Sequence, residues 1–109
     1  MSLRLYIWQR LTAALMAPLV LVHVAVIFYA SRKGLSAADI LGRTRGSILW
    51  ASFYGAFVAA VAIHASIGLR NVLIEWSPLR ERPAAMFSIA FGLLLLLLGL
   101  RAVAAVVLS

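Results

Sequence analysis

The sequence predicts an all-α membrane protein: three transmembrane helices in an up-down-up bundle with a short amphipathic N-terminal lead, forming a single membrane domain over residues 1–109. Three observations carry this. The 109 residues are 65% hydrophobic and 12% charged, too apolar a balance for a soluble domain of this size. Three apolar runs are each long enough to cross about 30 Å of hydrocarbon at about 1.5 Å per residue. Polar breaks at 31–46 and 77–83, both carrying glycine or proline, separate them.

The lead, Met1 to Arg10, collects Arg4, Tyr6, Trp8, Gln9 and Arg10, side chains with one apolar and one water-seeking end that belong at a membrane interface. Helix I is expected over about 8–30. Its stretch Leu11–Ala30 has no formal charge, and Pro18 interrupts its hydrogen-bond ladder. The polar loop 31–46 holds Arg32, Lys33, Arg43 and Arg45, and Ser36 is placed to cap a brief amphipathic helix over 37–41. Helix II, about 47–76, has a centre of small residues, Gly55, Ala56, Ala59, Ala60, Ala62, Ala65, Ser66 and Gly68. Pairs of them four apart let a helix or a flat cofactor approach the backbone. Ser77-Pro78 ends it, the turn 77–83 follows, and helix III is expected over about 84–108, with Arg101 snorkelling to the far interface.

Composition also excludes. Cysteine is absent, which removes disulfides, thiolate catalysis and thiolate metal sites. The net charge of +7 comes from cations at helix flanks, which suit lipid headgroups rather than nucleic acid. Those cations do not orient the chain: Arg4, Arg10, Arg70, Arg80 and Arg82 fall on one side, Arg32, Lys33, Arg43, Arg45 and Arg101 on the other. The first apolar run reaches spanning length without a small-residue cleavage motif, so a signal peptide is not expected. There is no internal repeat, phosphate loop, hydrolase triad or zinc spacing.

The chemistry-bearing stretch is His64 to Trp76. His64, Gly68, Asn71 and Glu75 share one helical face, so the imidazole is expected over Gly68, where no side chain blocks a planar ligand. Arg70 lies about one and a half turns nearer the interface. An ionisable group inside a membrane segment needs a named partner. A metal, a proton path and a helix–helix hydrogen bond all stand open for His64. A haem would use a neutral imidazole on iron, space beside it and a cation for its propionates. If Arg10 and Glu75 mark one interface, His23 and His64 lie at similar depths, about 20 Å and about 16 Å from it, which leaves one iron between them possible. A hydrogen bond to a neighbouring helix is the expected role of His23. Tyr6, Trp8, Gln9, Arg10 and Thr12, with Arg70, Glu75 and Trp76, form a second cluster able to hold a quinone ring or to serve as an ordinary aromatic belt.

The phrase His64-x-x-x-Gly68-Leu69-Arg70-x-x-x-x-Glu75-Trp76 resembles the second transmembrane helix of the small cytochrome b anchor subunits of succinate dehydrogenase and fumarate reductase. The resemblance implies b-type haem with His64 as axial ligand and Arg70 facing a propionate. It implies a quinone site near Glu75-Trp76, where tryptophan stands in for a tyrosine and cannot act as a phenol. Trp8-Gln9-Arg10-Leu11-Thr12 is similar to the family's His-Arg-x-Ser-Gly segment. Arg10 takes the quinone-side arginine, Gln9 replaces histidine, and Thr12-Ala13 replaces Ser-Gly. Further implied are an iron–sulfur subunit, a flavoprotein, and a second anchor chain (a sister subunit or another copy) sharing the haem. His23 is then a possible ligand to a second haem. The implied location is the inner (cytoplasmic) membrane, with the N-terminus cytoplasmic. The competing expectations are a haem-free anchor and a non-redox membrane protein, such as an assembly factor or a channel or transporter subunit.

Overall fold

The computed structural model describes residues 3–108; Met1 and Ser2 of the expected lead, and Ser109, lie outside them. Four helices follow in order: α1 (Leu3–Lys33), α2 (Ala37–Thr44), α3 (Ile48–Trp76) and α4 (Glu81–Val107). The three long ones are long and apolar enough to cross a membrane. The molecule is 48 Å along its longest axis, which matches a bilayer with its headgroup regions.

Three boundaries differ from the sequence reading, each for a local reason. The lead is not a separate element. α1 is continuous from Leu3 through Pro18 to Lys33, because backbone hydrogen bonds propagate through Arg4–Arg10 whatever the polarity of the side chains. It stops at Gly34, whose φ of +64° turns the chain so that Leu35 N–H reaches back to Ala30 O at 3.0 Å, a Schellman closure. α2 is longer than expected. Ser36 Oγ accepts from Asp39 N–H at 3.2 Å while the Asp39 carboxylate accepts from Ser36 N–H at 3.0 Å, a reciprocal capping box. α4 begins at Glu81 rather than Ala84, since Pro83 sits in the first turn, where a missing N–H costs nothing.

α3 is the central helix, packed along both α1 and α4. Against α4 the approach is closest: Ser66 Oγ donates to Ser88 O at 2.8 Å. A Cβ on Gly92 would lie 2.9 Å from Ser66 Cβ, and one on Gly99 would lie 2.5 Å from a Val58 methyl. Small residues on both helices set that distance. α2 folds back onto the end of α4, with Thr44 Oγ1 donating to Val106 O at 2.6 Å and Gly46 N–H to Val107 O at 2.7 Å. Buried apolar side chains among the described residues are few (Ala60, Ala62, Ile67, Ala84, Val107), while Leu, Phe and Ile line the outer faces of α1 and α4. Such surfaces are stable only against lipid or partner chains.

Candidate functional site

The antiparallel register of α1 on α3 decides which side chains meet. Thr12 faces His64, Gln9 faces Gly68 and Asn71, and His23 faces Tyr54 and Phe57. The two histidines therefore lie at opposite ends of one seam. Along α1, His23 is about 16 Å from the level of Thr12 and His64. One iron cannot be held by both histidines of the same chain. The sequence estimate of equal depth fails because Arg10 and Glu75 are not level: Gln9 already lies beside Gly68 and Asn71, so Arg10 sits more than a turn deeper than Glu75.

At the His64 end, Thr12 is buried and its hydroxyl donates to the Trp8 carbonyl at 2.8 Å, with the Gln9 carbonyl at 3.1 Å. The same oxygen lies 3.3 Å from His64 Nδ1. Asn71 Nδ2 donates to Gln9 Oε1 at 3.1 Å, a second polar tie between the two helices. The face over Gly68 is not open, as the sequence suggested. A Cβ there would stand 3.5 Å from Gln9 Nε2, so the glutamine amide covers it. His64 lines a cavity of about 290 Å³ together with Tyr6, Gln9, Arg10 and Ala13. The Arg10 guanidinium stacks over the Tyr6 ring at 5.8 Å.

Arg70 is engaged elsewhere. Its guanidinium donates to Glu81 Oε1 at 2.6 Å, across the α3–α4 turn, and to Asn71 Oδ1 at 3.3 Å. The arginine side chain is 14% exposed and the glutamate 76%, so the buried cation holds a carboxylate that water still reaches. Trp8, Glu75 and Trp76 are exposed at this end, and none of them lines the His64 cavity. Of the expected quinone cluster, the fold brings Tyr6, Gln9 and Arg10 to the cavity, Thr12 behind its histidine, Arg70 to Glu81, and Trp8, Glu75 and Trp76 to the outer surface.

The His23 end is built differently. The ring packs edge-on against Tyr54 at 5.8 Å and Phe57 at 5.4 Å, within an aromatic group that includes Trp50 and Phe53. Its Nδ1 is buried without a hydrogen-bond partner, so the expected bond to a neighbouring helix is not formed at that nitrogen. His23 lines a separate cavity of about 260 Å³ with Tyr54, Val58, Gly99, Thr44 and Val103.

Two participants were not legible in these roles. Gln9, read as an interfacial residue and a member of the quinone cluster, is the side chain that covers Gly68 and ties to Asn71. Glu81, read as part of a charged turn, is the partner of Arg70. No local pattern signals either role; both follow from how α1 and α4 fold back on α3.

The arrangement defines a multi-pass, three-span membrane protein with its polar side chains concentrated at one end of the α1–α3 seam. The chain matches the succinate dehydrogenase/fumarate reductase transmembrane subunit family over residues 2–106, and it belongs to that family. It is thus a membrane anchor that associates with the catalytic subunits of such a complex. No curated protein and no solved structure matches it.

Proposed function

We propose that this anchor carries b-type haem on His64 and forms part of the quinone site through which electrons leave an iron–sulfur subunit. The observation that carries the reading is the 3.3 Å contact between Nδ1 of a membrane-depth imidazole and a hydroxyl on the neighbouring helix, beside a cavity lined by a phenol and a guanidinium. Haem takes few protein ligands, so a single histidine in a chain can serve it. One imidazole is half of a bis-histidine pair, and the second comes from another anchor chain, a sister subunit or a second copy. When bound, the haem supplies a one-electron relay.

The chain's own residues do the rest. His64 offers a nitrogen to iron. Arg70 supplies positive charge for a propionate, with the water-exposed Glu81 as the carboxylate that gives way. Tyr6 and Arg10 present hydrogen-bond donors to quinone oxygens. Thr12 acts from behind His64, and Trp8, Glu75 and Trp76 stand on the outer surface of the end where the iron–sulfur subunit and its flavoprotein dock. That side is the cytoplasmic face of the inner membrane, with the N-terminus on it. His23, with its unpartnered Nδ1 and its own cavity, is the candidate ligand of a second haem where two copies pair.

The test is the reduced-minus-oxidised spectrum of the purified complex. A b-type band lost in His64→Ala supports the reading; a complex without that band, or a band untouched by the substitution, defeats it. In the competing reading, a haem-free anchor, the Thr12 contact is the whole of the role of His64, and a spectrum unchanged in His64→Ala decides for it.

A further inference from the structure

We infer that Thr12 sets the tautomer of His64, holding the proton on Nδ1 and leaving Nε2 bare, and so acts as a positioning residue for the iron ligand. The inference deepens the haem reading and rests on it for its use, though not for its measurement. Its basis is the count of hydrogens at one oxygen. A threonine hydroxyl has a single proton to donate. A carbonyl oxygen can only accept, so the 2.8 Å contact from Thr12 Oγ1 to Trp8 O requires that proton to point at the carbonyl. The Gln9 carbonyl, at 3.1 Å, makes the same demand on the same proton. What Thr12 turns toward His64 is therefore a lone pair. A lone pair facing a ring nitrogen at 3.3 Å is attractive only if that nitrogen bears hydrogen. Nδ1 is the donor, and in the neutral ring Nε2 then carries the free electron pair.

The device is rigid. Thr12 is 5% exposed and anchored within its own helix turn, so its oxygen cannot swing away without leaving its backbone carbonyls. Among the described residues, no protein group hydrogen-bonds to Nε2. Metal-bound histidines commonly donate their second N–H to an oxygen, which fixes the ring and raises ligand basicity. In this chain that oxygen comes from the helix carrying the quinone-side residues, which couples ligand orientation to the packing of α1 on α3.

The experiment compares wild type with Thr12→Val, which keeps the shape and removes the oxygen, and Thr12→Ser, which restores it, with His64→Ala as reference. Solid-state ¹⁵N spectra of histidine-labelled full chain in lipid, without haem, report the tautomer; the signal missing from His64→Ala identifies His64 against His23. The expected result is a protonated Nδ1 in wild type and Thr12→Ser, and loss of that single form in Thr12→Val. In the purified complex, Thr12→Val is expected to bind haem about 10- to 100-fold more weakly and to have a raised midpoint potential, because a less basic imidazole favours the ferrous state. Thr12→Ser returns both toward wild type. A protonated Nε2 in wild type, or Thr12→Val matching wild type in both tautomer and potential, overturns the inference. A complex that keeps its haem in His64→Ala overturns the haem reading instead, and the nitrogen spectra still decide the tautomer.

Discussion

The two ends of the α1–α3 seam hold one histidine each and treat it in opposite ways. At the upper end His64 is gripped by polar groups: Thr12 takes its Nδ1, and Gln9 and Asn71 close the next turn. At the lower end His23 is surrounded by aromatic rings and its Nδ1 meets nothing. A buried polar atom without a partner costs on the order of 1–3 kcal/mol, whereas a satisfied one contributes modestly. The contrast teaches that a histidine in a membrane helix is not informative by itself. What surrounds each nitrogen assigns it, a fixed and oriented ring at one end and an unsatisfied one at the other.

The sharpest way to break the comparison is to remove each ring in turn. His64→Ala is expected to abolish the b-type band of the purified complex, or all of it but the His23 component where a second haem is present. His23→Phe is expected to leave the His64-dependent part of the spectrum intact and, where a second haem is present, to remove only that component. Redox titration of both variants checks this. If His23→Phe removes the entire band and His64→Ala none of it, the assignment of roles is reversed.

The next effect is in packing. Gly99 lines the His23 cavity, and a methyl there would meet Val58 at 2.5 Å. Gly99→Ala therefore overpacks the α3–α4 contact at a cost of about 1–3 kcal/mol. Gly68→Ala places its methyl at an ordinary 3.5 Å from the movable end of Gln9 and is expected to leave stability nearly unchanged. Thermal unfolding of the detergent-solubilised complex orders the two. If Gly68→Ala proves the more damaging, the Gln9 amide is not where the structure puts it.

The three spans were legible because run length and hydropathy suffice to place apolar helices in a bilayer. So were the cap at Ser36 and the stop at Ser77-Pro78, which depend on residues within one turn of each other. The site was legible only as a set of residue types. His64, Arg70, Arg10 and Tyr6 were all picked out, yet their pairings were not, because the register of two antiparallel helices is written in neither of them alone. Taking Arg10 and Glu75 as level made the histidines look equally deep. The Thr12–His64 contact shows that they are not, and the same geometry gives Arg70 to Glu81 through a turn whose shape the sequence does not reveal.

A smaller effect tests the polar end. Asn71→Leu removes the tie to Gln9 and leaves that amide oxygen without its donor. Interhelical hydrogen bonds within membranes are worth about 0.6 kcal/mol on average and at most about 1.7. A modest loss of thermal stability is expected, with the His64-dependent band retained. A loss of haem as complete as that of His64→Ala would mean that the whole polar layer, and not the Thr12 hydroxyl, holds the ring.

An effect confined to one short helix lies outside the membrane, at the cap that fixes α2 over the His23 end. The Asp39 carboxylate accepts the Ser36 backbone N–H, and that bond, with the Ser36 hydroxyl and then Arg43 assisting, holds its pKa below the ordinary carboxylate value. A carboxyl with a depressed folded pKa stabilises the fold above its unfolded pKa, and the contribution disappears as pH falls through the folded one. Amide exchange in α2, corrected for the intrinsic pH dependence, is thus expected to be flat through neutrality and to accelerate only in acid, below the usual carboxylate range. Asp39→Asn removes that acid dependence. Ser36→Ala weakens α2 at every pH, by about 1 kcal/mol, because it deletes the acceptor for Asp39 N–H. If α2 exchange proves indifferent to both substitutions, its hold on α4 through Thr44 and Gly46 outweighs its cap, and α2 is positioned by tertiary contact alone.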